Sequence, residues 1–207
     1  MEYGAIDLHL RRSQFRIVRE DGSVLKEGRI ETTRAAFAQV WGNRPPMRVL
    51  IESSTDSEWV AQQLEALGHE VIIADPNYAA MYGSRSRKVK TDRRDAAALA
   101  EACRTGIYRR AHRVSAARRS ERQRLRIRRR LVAMRSSSIS LLRAVLRQEG
   151  YRVPRGSAET VDKRLERLEL PHALGAILTP LRSWLRELNR LVADADQALR
   201  RAPRTMR

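Results

Sequence analysis

The chain has 207 residues, of which 42 are Lys or Arg and 24 are Asp or Glu, so its formal net charge is +18 at pH 7. This length suits one domain or two small ones, and a hydrophobic fraction of 42% excludes a wholly disordered chain. No apolar run approaches the roughly 18 residues of a membrane-spanning helix. The single cysteine, Cys103, excludes an internal disulfide, and the first residues lack the pattern of a secretory signal. We therefore expect a cytoplasmic protein without a membrane partner.

The positive charge is concentrated in the second half of the chain. Residues 1–100 are almost balanced in charge, whereas residues 101–207 carry nearly the whole excess. Neutralising phosphate groups is the commonest reason for a protein to tolerate such self-repulsion. Nearly all of the basic residues are arginine, which either phosphate recognition by guanidinium groups or a GC-rich genome could explain.

The first half predicts a mixed α/β domain that opens with three strands. Residues 3–9 form a short strand candidate, and residues 14–19 alternate apolar and polar side chains. The turn signal Asp21-Gly22 then allows residues 23–30 to return as an antiparallel partner. Three early strands joined by short loops predict an antiparallel meander.

A strand–helix–strand unit follows a helix predicted at residues 33–41. Residues 47–52 form an apolar strand candidate, residues 57–67 show a helical apolar period, and residues 70–74 form another strand. This spacing predicts two parallel strands with a right-handed crossover. A meander that feeds a parallel unit is the order of elements in a ribonuclease-H-like fold, whereas a flavodoxin-like sheet would not open with a hairpin.

The rest of the chain predicts helices. Residues 83–91 are basic and polar, and a helix is predicted from Asp92 to about Thr105, ended by Gly106. Two apolar heptad seams follow, the first formed by Ile127, Leu131, Met134, Ser138, Leu141 and Val145, and the second by Leu181, Leu185, Leu188, Val192, Ala195 and Leu199. The seams predict an antiparallel hairpin or an oligomerising coiled coil. We place an α/β domain at residues 1–112 and an Arg-rich helical coiled-coil domain at residues 113–207.

Four acidic residues stand out by position. Asp7 lies within the first strand, Glu52 ends the fourth, and Asp92 and Asp95 lie three residues apart at a helix start. A carboxylate inside an apolar strand is costly unless it is paired or bound to a metal. Together, the four could supply the oxygen ligands that two Mg²⁺ ions need for phosphodiester chemistry. Alternatively, Asp92 caps the helix with Asp95 in a capping-box-like pair, and Glu52 is an ordinary strand-end residue.

Other polar residues near these acids have simpler explanations. We interpret His9, which shares a strand face with Asp7, as a hydrogen-bonded core histidine rather than a neighbour of a metal site. Asp75, which precedes Pro76, is interpreted as a turn former. Residues 53–55 are interpreted as a helix-capping loop rather than as nucleophiles.

These residues together fit a known family. The segments Gly4-Ala5-Ile6-Asp7, Ile51-Glu52-Ser53, Asp75-Pro76 and Lys90-Thr91-Asp92-Arg93-Arg94-Asp95-Ala96 resemble the RuvC-like N-terminal domain of the DEDD transposases of the IS110 insertion-sequence family, which are related to the Piv DNA invertases. The Lys-Thr-Asp-x-x-Asp-Ala segment is the most specific of these. The resemblance covers roughly residues 3–150.

The resemblance implies a RuvC-like, ribonuclease-H-like mixed sheet with flanking helices, followed by an all-α coiled-coil region. It implies that Asp7, Glu52, Asp92 and Asp95 are catalytic and hold two Mg²⁺ ions for DNA transposition or site-specific recombination. It also implies DNA, a structured noncoding RNA and further copies of the chain as partners, and nucleoid association in a bacterial cytoplasm. Family members also carry a C-terminal domain with a serine nucleophile. No matching segment follows residue 200, so we expect a truncated, split or accessory form.

A second group of candidates is basic. Eight of the thirteen residues 118–130 are arginine, which favours binding to a nucleic-acid backbone, with a solvated helix face as the alternative. Leu125, Ile127 and Leu131 remain for packing. Further basic residues just before the Asp92/Asp95 pair could steer a phosphate strand to the metals. The nucleic-acid-binding candidates are Arg85, Arg87, Lys88, Lys90, Arg118, Arg119, Arg122, Arg124, Arg126, Arg128, Arg129 and Arg130.

Two functions therefore compete. The first is a Mg²⁺-dependent transposase that binds DNA and RNA through its helical part. The alternative is a non-catalytic nucleic-acid-binding and oligomerisation module derived from a transposase. A Holliday-junction-resolvase-like nuclease is a weaker third candidate, because the helical arm resembles the transposases.

Overall fold

A computed structural model describes residues 1–83 and 91–201 in two compact units, Met1–Arg113 and Val114–Arg207. The strands of the first unit are β1 (Glu2–Asp7), β2 (Arg12–Arg19), β3 (Val24–Glu31), β4 (Arg48–Glu52) and β5 (Glu70–Ala74). Its helices are α1 (Arg34–Trp41), α2 (Ser57–Ala66) and α3 (Asp92–Thr105), with a short 3₁₀ turn at Ala79–Tyr82. The second unit contains α4 (Ala116–Gln148), α5 (Val161–Leu165) and α6 (His172–Arg201).

The five strands form one mixed sheet in the order β3-β2-β1-β4-β5. β1, β2 and β3 pair antiparallel, whereas β4 lies parallel to β1, and β5 lies parallel to β4. The turn between β2 and β3 contains Gly22 with a φ of 86°, a conformation that glycine adopts without strain. The predicted ribonuclease-H-like mixed sheet with flanking helices is therefore confirmed.

Both faces of the sheet are buried, and neighbouring residues of one strand supply opposite faces. Ile6 and Ile51 join a core with Phe37 and Trp41 of α1, while Leu50 joins a second core with α3. Burial on both sides explains why β4 and β5 read as continuous apolar runs rather than alternating ones. The sheet centre is thus held on both sides by packed helices.

The segment after α3 returns along the free edge of β5. The amide of Ala111 donates to the carbonyl oxygen of Ile73 at 2.8 Å, and the amide of Asp75 donates to the carbonyl oxygen of Arg109 at 2.8 Å. Arg113 then forms ion pairs with two carboxylates of α2. This edge strand of the sheet is therefore covered by the chain itself.

The second unit is built on two long antiparallel helices. Arg128 of α4 lies opposite Asp196 of α6, and Arg135 lies opposite Asn189, so one residue number rises as the other falls. The core of this unit includes buried leucines from both helices and apolar residues of α5. The helices are arranged as a hairpin, which is one of the two arrangements that the seams predicted. None of the described helices is long and apolar enough to cross a bilayer.

The first predicted seam is wrong in its register. Leu142 is fully buried, whereas the predicted Leu141 and Ile127 are 56% and 60% exposed. Leu125, which was expected to pack, is also exposed. The buried residues of α4 are Ile139, Leu142 and Leu146, which form an apolar row one position along from the predicted Ser138, Leu141 and Val145. This row contains no polar residue, and it packs with residues of α5 and α6. In the second seam, the central residues Leu185, Leu188 and Val192 are buried as predicted.

The corrected register can be tested with two neighbouring substitutions of the same type. We expect Leu142→Ala to destabilise the protein by about 2–5 kcal/mol, because it leaves a cavity in the core of the second unit. Leu141→Ala should change stability by no more than about 0.5 kcal/mol. Urea unfolding followed by circular dichroism measures both, and a larger loss for Leu141→Ala would restore the predicted seam.

Candidate metal centre

Two of the four predicted acids lie at the carboxyl ends of neighbouring central strands of the sheet. Asp7 is the last residue of β1, and Glu52 is the last residue of β4. β1 and β4 are parallel neighbours with Ile6 opposite Ile51, so the next residues, Asp7 and Glu52, lie side by side at the carboxyl ends of the two strands. The carboxylates of Asp7 and Glu52 are thereby brought near each other by strand pairing alone.

The other two acids lie on the first turn of α3, which packs across β1 and β2. Thr91 caps this helix, because its hydroxyl accepts a hydrogen bond from the amide of Arg94 at 3.4 Å. The interpretation of Asp92 as the capping residue is therefore wrong, since Asp92 already lies inside the helix. Its carboxylate and that of Asp95 lie three positions apart, which puts them on the same face.

A single cavity of about 380 Å³ is lined by all four acids. The other described residues that line it are Leu8, His9, Ser54, Pro76 and Tyr82. The structure thus brings together four side chains that lie as much as 88 positions apart in the chain. Carboxylate oxygens are the ligands that hard divalent cations such as Mg²⁺ prefer, so this donor set fits such an ion.

Asp7 is a largely buried carboxylate of this cavity. It is only 9% exposed, and this burial raises the pKa of its carboxyl group. The neighbouring His9 lowers the pKa, while the negative charges of Asp95 and Asp92 raise it further. The negative charge of Asp7 is therefore poorly compensated, and a bound cation would compensate it.

His9 lies in the cavity rather than in the core. Its side chain is 48% exposed, and its Nε2 lies 3.2 Å from Oδ2 of Asp7 and 3.5 Å from Oδ1 of Asp92. One ligand atom each from Asp7, His9 and Asp92 lies within 4.8 Å of the others. The interpretation of His9 as a core histidine is wrong because the chain leaves β1 at Asp7, before His9 is reached.

Tyr82 is a cavity residue that the sequence did not reveal. It ends the 3₁₀ turn, and its side chain hydrogen-bonds to that of Glu52. Burial, followed by this hydrogen bond, raises the pKa of Tyr82 well above its ordinary value. Tyr82 therefore stays protonated, and its hydroxyl orients the Glu52 carboxylate. No spacing or motif in the sequence connects these two residues.

Arginines border the acidic cavity on one side. Nη2 of Arg29 lies 3.5 Å from Oδ2 of Asp92. A second cavity of about 640 Å³ shares Asp92 and His9 with the first and is also lined by Leu10, Arg11, Arg12 and Arg29. We name the three arginines the basic rim. The sequence prediction missed this rim because Arg11 and Arg12 lie at the junction of the β1–β2 loop and β2, and Arg29 lies in β3, far from any basic run.

The other residues around the site have simple structural roles. The carboxylate of Asp75 accepts hydrogen bonds from the backbone amide of Asn77 and from the side chain of Arg109, as expected of a turn former. The hydroxyl of Ser57 donates to the carbonyl oxygen of Ser54, which fixes the loop after Glu52. The predicted phosphate-steering residues Arg85, Arg87, Lys88 and Lys90 lie outside the described residues.

The arginine cluster at 118–130 lies on the first half of α4, in the second unit. All of its arginines are exposed except Arg119 and Arg128, which are half-buried. Arg119 donates to the carbonyl oxygen of Val114, and Arg128 pairs with Asp196 of α6. The exposed members form a positively charged surface on this helix.

Comparison with known proteins gave one family and a set of solved structures. The model of the family DEDD_Tnp_IS110, described as a transposase, matches residues 5–150. The Thermus thermophilus RuvC structure is similar with a TM-score of 0.40 and 15% identity, over 54% of this chain and 100% of that chain. Comparison with curated proteins gave no match.

The raised pKa of Asp7 predicts how its charge affects stability. A carboxyl group whose pKa is raised by folding stabilises the protein below the unfolded pKa of about 4, and this contribution is lost as the pH rises through the folded pKa. At pH 7 without divalent cations, Asp7→Asn should therefore raise the thermal unfolding midpoint, by roughly 2–5 °C. The gain should shrink toward pH 4.

Differential scanning calorimetry of the two proteins in a chelating buffer measures this difference. Asp21→Asn is the control, because hydrogen bonds from Ser23 lower the pKa of Asp21 and its substitution should bring no gain. An unchanged or lower midpoint for Asp7→Asn at pH 7 would contradict the electrostatic description of the cavity.

Proposed function

Because the chain belongs to the IS110 family of DEDD transposases, whose model matches residues 5–150, we propose that it performs DNA strand chemistry at the cavity lined by Asp7, Glu52, Asp92 and Asp95. One observation carries the proposal. The four acids that the family resemblance singles out come from β1, β4 and α3, and all four line one cavity.

The four carboxylates would hold two divalent metal ions, Mg²⁺ by resemblance to the family. When bound, such ions lower the pKa of a water or hydroxyl nucleophile and stabilise the leaving oxygen of a phosphodiester. Asp7 supplies a buried carboxylate at the end of β1, and Tyr82 keeps the Glu52 carboxylate in one orientation. The turn that carries Asp92 and Asp95 is fixed by the Thr91 cap. Rigid elements therefore preorganise every proposed ligand.

We propose that DNA reaches this cavity along the basic rim. Arg11, Arg12 and Arg29 lie beside the acids in a cavity that shares His9 and Asp92 with them. A phosphodiester that approaches four carboxylates is repelled unless nearby cations compensate its charge. The rim supplies this compensation next to the reacting position, and guanidinium groups can bind phosphate oxygens bidentately.

The exposed arginines of α4 form a second proposed nucleic-acid surface. Their charge supports binding to a phosphate backbone by shape rather than by base sequence. We propose DNA and a structured noncoding RNA as ligands of the protein, the latter by resemblance to the family. Copies of the chain are proposed to associate through the long helices, on which Leu141, Ile177 and Trp184 are exposed.

Substitution of the cavity acids tests the proposed chemistry. With Mg²⁺ or Mn²⁺ and labelled branched or supercoiled DNA, we expect Asp7→Asn and Asp92→Asn each to reduce DNA processing by on the order of 100-fold or more. Nucleic-acid binding should be retained, and circular dichroism verifies that the variants fold. Asp21→Asn, at the turn between β2 and β3, removes a carboxylate far along the strands from the cavity and should process DNA like the unaltered protein.

Equal processing by all of these proteins would show that the cavity acids have no catalytic role. If the unaltered protein binds nucleic acid but processes no DNA with either metal, the non-catalytic binding module becomes the better description.

The arginine surface of α4 makes a separate prediction about salt. Arg126 and Arg130 are exposed and one helical turn apart. Each phosphate contact contributes about 0.9 to the slope of log affinity against log salt concentration. Arg126→Gln combined with Arg130→Gln should therefore weaken binding to duplex DNA and to an RNA hairpin, and lower the slope by about 2. Fluorescence anisotropy at several salt concentrations measures both.

A control variant removes the same charge from another part of the second unit. Arg167 and Arg190 are both exposed, and Arg190 already pairs with Glu187 and Asp194. Arg167→Gln combined with Arg190→Gln should lower the slope by less than about 0.5. Equal slopes for the two double variants would indicate that only the overall charge matters and would contradict a surface on α4.

A further inference from the structure

Among the described residues that line the acidic cavity, His9 is the one that offers a side-chain nitrogen as a ligand atom. The nitrogen is directed at the carboxylates, because Nε2 contacts both Asp7 and Asp92. Those two carboxylates belong to different elements, β1 and α3, so the imidazole bridges the strand side and the helix side of the cavity.

The distances around His9 fit a metal-ligand cluster. Adjacent ligands of an octahedral ion with bonds of about 2.1 Å lie roughly 3.0 Å apart. Nε2 of His9 lies 3.2 Å from Oδ2 of Asp7 and 3.5 Å from Oδ1 of Asp92. Ligand atoms of all three residues lie within 4.8 Å of one another, so small side-chain movements suffice for them to share one cation.

The surroundings of His9 favour ligation over a purely structural role. Its side chain is 48% exposed and borders both the acidic cavity and the basic rim, so an ion can approach it from solvent. The second carboxylate oxygen of Asp92 faces Arg29, which leaves Oδ1 on the His9 side for an ion. The three candidate ligand atoms are thus an imidazole nitrogen and two carboxylate oxygens.

We propose that His9 is a direct nitrogen ligand of a divalent cation bound between Asp7 and Asp92, and that it shifts the preference of the site toward Mn²⁺ relative to Mg²⁺. The inference rests on the proposed function, which assigns metal binding to the acids. Mg²⁺ is a hard ion that binds oxygen ligands, whereas imidazole suits first-row transition metals. A site with one nitrogen therefore gains less affinity for Mg²⁺ than for Mn²⁺.

Electron paramagnetic resonance of Mn²⁺ bound to the full chain tests this ligand directly. Spin-echo envelope modulation detects an imidazole nitrogen that is bonded to Mn²⁺, whatever the activity of the protein. The unaltered protein should show this nitrogen signal, and His9→Ala should lose it. His112→Ala is the matched control, because His112 is an exposed histidine of the same unit that does not line the cavity.

Affinity provides a second readout. Titration calorimetry should show Mn²⁺ binding about tenfold weaker in His9→Ala, with a smaller change for Mg²⁺. His9→Gln, which offers an oxygen in place of the nitrogen, should restore Mg²⁺ binding better than Mn²⁺ binding. Circular dichroism of the variants verifies that the fold is unchanged.

The outcomes separate this inference from the proposed function. Mn²⁺ binding without a nitrogen signal, and with equal affinity in His9→Ala, would overturn the role of His9 while leaving the acids as ligands. Loss of Mn²⁺ binding in Asp7→Asn together with loss of the nitrogen signal in His9→Ala would support both. If the unaltered protein binds neither Mn²⁺ nor Mg²⁺, the proposed function fails and this inference fails with it.

Discussion

Electrostatic repulsion among carboxylates in a small cavity is the constraint on which the arrangement of the first unit depends. Burial raises the pKa of Asp7, and the charges of Asp95 and Asp92 add to that effect despite the opposing influence of His9. The four acids remain together because they are carried by three separately packed elements, β1, β4 and α3, the last of which carries both Asp92 and Asp95. Packing on both faces of the sheet stabilises these elements, so hydrophobic burial holds the charges in place.

Much of the first unit could be predicted because its signals are local. The turn at Asp21-Gly22, the period-two strands and the glycine at 106 each specify a structure within a few residues, and α3 has the predicted bounds Asp92–Thr105. The register of α4 in the second unit is not specified by local signals of this kind. A seam that continues from Ile127 passes through Ser138 and Leu141, but the row that packs with α5 and α6 is Ile139, Leu142 and Leu146. Which row is buried depends on where these two helices pack along α4.

In the candidate site, too, some features follow from local sequence signals and others depend on contacts between distant elements. Asp7 and Glu52 could be placed together because neighbouring parallel strands have their carboxyl ends at the same end of the sheet. Asp92 and Asp95 could be placed together because they share one face of a helix. Strand alternation places His9 in the core only if β1 continues to residue 9, and the strand ends at Asp7. The roles of Tyr82 and Arg29 depend on contacts between distant elements, which neither spacing nor charge patterning reports.

The pairing of residues 109–111 with β5 reduces the tendency of the protein to aggregate at high concentration. A bare strand edge is a template for intermolecular pairing, and here the chain occupies one of the two edges of its own sheet. The opposite edge, β3, carries Lys26, Glu27 and Arg29, charged side chains that discourage fibril-like stacking. Residues 109–111 cover one edge strand of the sheet, and charged side chains border the other. Both edges are thus protected against intermolecular pairing, which favours solubility.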